Sequence, residues 1–292
     1  MTNGDTNCRN WDKTELSMIS LIRKLRHGVL RRWSPVFVLL GRAYKVVLKF
    51  VPFKISVSMR IGKHGPFKLD GRFAFSNFDT FGVGKNGGLD HCVNAASGQS
   101  CVLDVGAHIG LMSLPMSQTL AAGGKIFAFE PGSFNRNMLH RHIKLNNVKN
   151  IEVLGDLVGG NDLEAVDFFE EVGDSPLNAV VNRFDDGQFN IVAKRQVSLD
   201  SFCRGRELHP SVMKIDVEGL ELEVLKGAKE TIATCQPSIF LSVHRLELKM
   251  LGASIELLEK YIDEIGYKFC RPDGSLVDEV TTGEYLCIPD KG

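Results

Sequence analysis

Residues 101–110 read C-V-L-D-V-G-A-H-I-G. The apolar run Cys101–Val105, bounded by glycine, fits a short strand buried on both faces. Gly106 and Gly110 break the run, and the spacing beyond them predicts a strand, a glycine turn and a helix in succession. Asp104, Gly106 and Gly110 together form D-x-G-x-x-x-G. The next apolar run, Lys125–Phe129, ends in Glu130. An acid there, about twenty residues on and at the tip of the adjacent strand, suits the hydroxyls of a ribose.

The chemistry of this stretch narrows the ligand. Gly106 has no Cβ, so its backbone can approach a bound molecule closely. The amides at the following helix start suit a carboxylate. Asp104 suits an ammonium group. S-adenosylmethionine carries an amino acid head on a ribose and matches this set. A pyrophosphate would be repelled by Asp104, and the dinucleotide pattern G-x-G-x-x-G is absent. His108 has two readings, a cofactor contact or a filler of the helix start.

Working outward towards the C-terminus, strands and helices alternate, which favours a parallel sheet. Helices are expected at 109–122, Ser133–Leu145, 198–205, 220–235 and 254–265. Strands are expected at 125–130, Ile151–Leu154, Val212–Ile215 and Ser238–Val243, with an added antiparallel pair at 165–171 and 191–197. The 220–235 helix turns Leu222, Leu225, Ala228 and Ile232 inward. Ser254 is the expected N-cap of the next helix, with Leu257, Leu258, Tyr261, Ile262 and Ile265 inward. Two last strands, 267–271 and 284–288, flank a loop that begins with a Pro272-Asp273-Gly274 turn. A terminal antiparallel strand separates this pattern from a plain six-strand dinucleotide fold.

Working towards the N-terminus, Leu89–Ala96 reads as a short helix. Residues 75–88 are rich in glycine and phenylalanine and form either a loop over a ligand or a structural loop with aromatic plugs. Residues 53–75 read as short strands joined by turns. Formal net charge is zero over 292 residues, so the chain as a whole makes no case for nucleic acid. The charge is unevenly spread. Residues 16–69 contain no Asp or Glu but include Arg23, Lys24, Arg26, Arg31 and Arg32. Two basic amphipathic helices, 16–33 and one started by Pro35, fit either peripheral membrane contact through residues 16–54 or a lid packed on the main domain. The seven cysteines are dispersed and odd in number, with no C-x-x-C, which favours a reducing compartment and a cytoplasmic location over a disulfide framework or a zinc cluster. No signal-peptide pattern opens the chain, and its longest early apolar run is too short to span a bilayer.

Several blocks resemble the FkbM-type family of class I S-adenosylmethionine-dependent methyltransferases. They are V-L-D-V-G-A-H-I-G (102–110), F-E-P (129–131), L-N-N (145–147), L-G-D (154–156), V-S-L-D-S-F (197–202) and M-K-I-D-V-E-G-L-E-L-E-V-L-K-G-A (213–228). The resemblance implies a Rossmann-like seven-stranded sheet in the order 3-2-1-4-5-7-6, with the last strand antiparallel. The resemblance covers about Ser100 to Pro289 and, with the N-terminal reading above, divides the chain into a basic, partly helical extension (1–54), a strand and loop lead-in (55–98) and a methyltransferase domain (99–292). It also implies O-methylation of a sugar or glycan, lipid-linked or secondary-metabolite acceptor. On the matching positions, Asp104, Gly106 and Gly110 fall in the cofactor loop, Glu130 on the ribose and Asp156 near the adenine. Asp216 and Glu218 match an acid pair after the fourth strand, and His244 ends the fifth. This chain departs from the family at Ser242, where a carboxylate is common.

A hydroxyl acceptor must lose its proton during methyl transfer. His244, ordinarily titrating near neutrality, is the first candidate for general base, against a structural hydrogen-bonding role. Asp216 either orients the acceptor or caps the strand–helix turn, and Glu218 suits a helix N-terminus. Asp216 with Glu218 offers oxygens to Mg2+, but two acids fall short of a full coordination shell, so no dedicated metal is expected. Lys214 receives no role. Two other functions compete: an NAD- or nucleotide-sugar-linked oxidoreductase, and a non-catalytic membrane-surface module that retains a nucleoside site.

Overall fold

The structure, a computed structural model, describes residues 55–83, 86–171, 178–179 and 189–290. The basic helices expected within 16–54, their membrane or lid role, and Cys8 lie outside the described residues. The chain divides into two compact units at Asp79/Thr80. In the first, β1 (Ser56–Ile61) and β2 (His64–Asp70) form an antiparallel hairpin. Val57, Met59 and Ile61 alternate with exposed residues along β1, the period-2 pattern of a half-buried strand. The Asp70 carboxylate accepts from the Arg72 amide at 3.0 Å and starts the short 3-10 turn that follows.

The second unit opens with α1 (Leu89–Ala96), β3 (Cys101–Val105) and α2 (Ser113–Ser117). Next come β4 (Lys125–Phe129), α3 (Ser133–Leu145) and β5 (Ile151–Leu154). Then β6 (Leu157–Val158), β7 (Leu163–Glu171), β8 (Asn178–Ala179) and β9 (Phe189–Val197) form a separate four-stranded sheet. The antiparallel pair read from the sequence is its β7–β9 centre. After it follow α4 (Leu199–Arg206), β10 (Val212–Ile215), α5 (Glu221–Lys226) and α6 (Lys229–Cys235). The chain closes with β11 (Ser238–Val243), α7 (Arg245–Met250), α8 (Ile255–Glu264), β12 (Tyr267–Cys270) and β13 (Gly283–Pro289).

The main sheet runs β12-β13-β11-β10-β3-β4-β5. Counted along the main domain and read from the β5 edge, this is 3-2-1-4-5-7-6, the expected order. β13 is antiparallel to both its neighbours, and the β10–β11, β10–β3, β3–β4 and β4–β5 pairings are parallel. β3 is central and every one of its residues is buried. The parallel order brings the carboxyl ends of β3, β4, β10 and β11 together at one edge, where open α/β sheets bind ligands.

Three local expectations fail for identifiable reasons. The helix expected at 109–122 shrinks to the five residues of α2. His108 and Gly110 both hold positive φ (+52° and +91°), so helical geometry starts only beyond them. At the other end the Thr119 carbonyl accepts from the Gly98 amide and leaves the helical path. The helix expected at 220–235 breaks into α5 and α6 at Gly227, whose Cβ, if added, would stand 2.1 Å from the Gly159 carbonyl oxygen. Asp200 restarts the helix by accepting from the amides of Glu230 (3.0 Å) and Thr231 (2.7 Å). In α8, Leu257 is 48% exposed rather than inward, while Ile255, Leu258 and Ile262 form the buried stripe.

The N-cap of α8 is as expected: Ser254 Oγ accepts from the Leu257 amide at 3.2 Å. Ser254→Ala is expected to lower stability by about 1 kcal/mol, read as a lower urea midpoint with an unchanged slope.

Candidate active site

The turn after β3 and the turn after β10 touch. The Asp216 amide donates to the Val105 carbonyl at 2.9 Å. Gly106, at φ +83°, lies so close that an added Cβ would sit 1.9 Å from the Asp216 carbonyl oxygen. Its lack of a Cβ therefore serves this backbone contact, a requirement the sequence reading did not include. Gly110 serves packing, since its Cβ would meet Leu139 of α3 at 2.6 Å.

The amides of this loop are also engaged. Gly106 and Ala107 both donate to the Phe129 carbonyl (3.0 and 2.9 Å), and Gly110 donates to Ala107. The His108 amide donates to Glu130 Oε2 and the Gly132 amide to Oε1, each at 2.8 Å. These amides hold the protein together, so the simple helix-start anion site expected from the sequence is not formed by them. Burial pushes Glu130 up to about 7, against the pull of the Gly132 and His108 amides and Arg136. Burial also pushes the half-buried His108 down to about 4, so its imidazole is neutral at pH 7. Asp156 lies just past the carboxyl end of β5, before β6, and pairs with Arg195 at 2.8 Å.

The carboxyl edge of β10 and β11 carries a line of charges. Lys214 lies opposite Asp104 in the sheet register and is buried. Its Nζ meets Asp216 Oδ2 at 2.5 Å. Asp216 Oδ1 faces His244 Nε2 at 3.5 Å, and His244 Nδ1 meets Glu221 Oε1 at 2.6 Å. Glu221 Oε1 accepts from the Gly219 amide as well, at 3.0 Å. Side-chain exposure is 0% at Glu221, 7% at Lys214, 24% at His244 and 34% at Asp216. The two ends are thus anchored inside, and only Asp216 and His244 can meet a substrate.

The charges set the protonation states. Burial alone would raise Asp216, but the Lys214 ammonium, with His244 and His108, holds its carboxyl below the ordinary range. Burial would lower His244, but the Glu221 bond and the charges of Asp216, Glu221 and Glu218 outweigh it and raise the imidazole. Asp104 is raised by burial, against Lys214 and a bond from Ser113 Oγ to its Oδ2. Glu218 sits at φ +51° on the turn, and its charge reaches His244. Gly219, at φ +106°, leaves room for α7, whose Glu247 would collide with a Cβ there.

Three of these groups escape a reading of the sequence. Glu221 carries no local signal that sets it apart from the other acids of its block, yet it is buried against His244. Lys214 lies on β10 and Asp216 just past its end, two residues on, a spacing that keeps both on one face if the strand runs on regularly. Glu284 on β13 lies directly across from Ser242. It supplies a carboxylate beside the position where the sequence lacks one, and it feels the charges of Lys214, Asp216 and His244. Glu284 also forms one wall of a cleft of about 430 Å3, together with His91, Arg271, Asp273, Glu279 and Tyr285. Among the described residues, no group of three or more His, Cys, Asp or Glu side chains is arranged to hold a metal ion.

This geometry can be set beside known proteins. The Methyltransferase FkbM domain matches residues 104–269, a span that runs from Asp104 through Glu130, Asp216 and Glu221 to His244. The chain belongs to the FkbM methyltransferase family. Methyltransferase sdnD of Sordaria araneosa is 31% identical over 201 residues, covering 59% of this chain and 74% of sdnD. Among solved structures, methyltransferase FkbM from Methylobacillus flagellatus aligns at 21% identity and a TM-score of 0.42, over 66% of this chain and 44% of that one. An O-methyltransferase from Bacillus cereus, solved with SAH, aligns at 12% identity and a TM-score of 0.40, over 71% of this chain and 82% of that one.

This FkbM-family methyltransferase has groups that fit S-adenosylmethionine. Asp104 Oδ1 is fully buried and has no hydrogen-bond partner in the protein, an acceptor suited to an ammonium donor. Glu130 takes the His108 and Gly132 amides and a bond from the Asn135 side chain, and an acid so placed at the tip of β4 suits a ribose hydroxyl with its remaining acceptor capacity. No helix of the described residues is long and apolar enough to cross a membrane.

Proposed function

We propose that this methyltransferase moves the methyl group of S-adenosylmethionine to a hydroxyl oxygen of a sugar, lipid-linked or secondary-metabolite acceptor. The observation that carries this reading is the pairing of His244 with Asp216 at the open end of an otherwise buried charge line. S-adenosylmethionine, when bound, supplies an electrophilic methyl on a sulfonium, so alignment provides much of the acceleration. Asp104 holds the ammonium group and Glu130 the ribose. Asp216, ionised and fixed through Oδ2 by Lys214, has Oδ1 left to orient the acceptor hydroxyl. His244 Nε2 takes the hydroxyl proton. The resulting imidazolium lies between the carboxylates of Asp216 and Glu221, which stabilise it as charge develops.

The test is transfer of label from methyl-labelled S-adenosylmethionine to a cell extract separated into lipid, glycan and small-molecule pools. Base-stable label in one pool, absent with His244→Asn, is the expected result. Label in no pool, or label recovered only on nitrogen or carbon, would sink the hydroxyl reading.

A further inference from the structure

The buried end of the charge line gives Glu221 a role beyond balancing the imidazolium. We propose that Glu221 is a positioning residue that holds His244 in the tautomer with the proton on Nδ1, so that Nε2 is bare and faces the acceptor. This deepens the proposed hydroxyl methylation and rests on it.

The geometry is specific. Glu221 is wholly buried, and its Oε1 lies 2.6 Å from His244 Nδ1. Oε1 already serves as an acceptor for a backbone amide, so the proton between the two atoms is assigned to Nδ1 in neutral His244. The same oxygen accepts from the Gly219 amide at 3.0 Å, which ties the acid to the turn that carries Asp216. The other oxygen, Oε2, is buried without a partner, so the carboxylate has no competing donor to draw it away from His244. His244 is the residue between β11 and α7, and its ring has two faces of contact: Glu221 on Nδ1 and Asp216 on Nε2. The 3.5 Å gap to Asp216 is at the limit of a hydrogen bond, so Nε2 is not locked to it.

The step balances as follows. The acceptor oxygen bonds to the methyl carbon, the electron pair of the old carbon–sulfur bond stays on sulfur, and the hydroxyl proton passes to His244 Nε2. His244 is then doubly protonated, with Glu221 and Asp216 as counter-charges. The charged groups that face it are Glu221 on α5, Asp216 and Glu218 on the turn after β10, and Glu284 on β13.

Glu221→Gln removes the charge and keeps the shape. The measurement is a pH titration of 15N-labelled protein by NMR, with the His244 signals identified by their loss in His244→Asn. In the wild type, neutral His244 is expected as the Nδ1–H tautomer. In Glu221→Gln its pKa is expected to fall by about one unit or more, the size of a lost charge partner at close range. The acid limb of the methyl-transfer profile should move to lower pH by the same amount, with maximal turnover about tenfold lower or less. Affinity for S-adenosylhomocysteine, measured calorimetrically, should be unchanged. A merely structural Glu221 would lower the melting temperature and leave the His244 pKa in place, and that outcome overturns the proposal. So does an Nε2–H tautomer in the wild type, a measurement that needs no variant and decides the question even if Glu221→Gln does not fold. If no pool accepts label, the hydroxyl reading fails separately, while the His244 tautomer still reports on Glu221.

Discussion

Gly106→Ala is expected to unfold or empty the active site, with a stability loss of about 2–5 kcal/mol from combined overpacking and left-handed strain. The new methyl would lie 1.9 Å from the Asp216 carbonyl oxygen and 2.8 Å from its carbonyl carbon. Both partners are backbone, so no side-chain rotation can relieve the contact. The turns after β3 and β10 must separate, breaking the bond from the Asp216 amide to Val105. Asp216 then loses its placement against Lys214 and His244. Gly98→Ala is the control: it has positive φ (+73°) as well, but nothing lies within 4 Å of its would-be Cβ. It should cost about 1 kcal/mol or less, the backbone share alone. Chemical denaturation of both variants separates strain from collision, and equal losses would contradict the close approach of the two turns.

His244→Asn is expected to lower turnover by about 10²–10⁴-fold, the usual worth of a positioned general base. The base must be neutral to accept a proton, and the surrounding acids raise His244 above its ordinary 6.5. Wild-type activity should therefore climb with pH through a limb above 6.5, and the variant's residual rate should lack that limb. Stability gives a second readout with the opposite sense. A group whose pKa is raised on folding stabilises the protein fully below its unfolded pKa, and the benefit is lost as pH rises through the folded value. The variant should thus melt well below wild type at pH 5.5, and the gap should narrow as pH rises past the folded pKa of His244. Unchanged turnover would remove His244 as the base, and a gap independent of pH would deny the ion pairs to Glu221 and Asp216.

Much of the site's address was legible in the chain. The D-x-G-x-x-x-G turn, the acid at Glu130 and the Asp216–Gly219 turn all fall at strand ends, and strand ends follow from local apolar runs. What was not legible is how each residue acts. The sequence marks Gly106 and Gly110 as special without showing what they touch: Gly106 lies against Asp216 and Gly110 against Leu139. Helix α7 was missed because six residues, RLELKM, are too few to show a period. Glu218 and Glu221 are both acids near a helix start, and only one of them is buried against His244.

The division has a physical basis. Periodicity, glycine and proline placement, and caps such as Ser254 are properties of a few neighbouring residues, so the sequence by itself determined the strands of the main sheet and the longer helices, but not α7, the short α2 or the break between α5 and α6. Pairing between strands is long-range. Only the folded sheet puts Lys214 opposite Asp104 and Glu284 opposite Ser242, residues far apart along the chain. Burial follows from that packing, and burial is what turns Lys214, Asp216, His244 and Glu221 from four ordinary charges into one coupled line. The tertiary structure alone decided which acid holds the histidine from inside and which one is left partly exposed beside it.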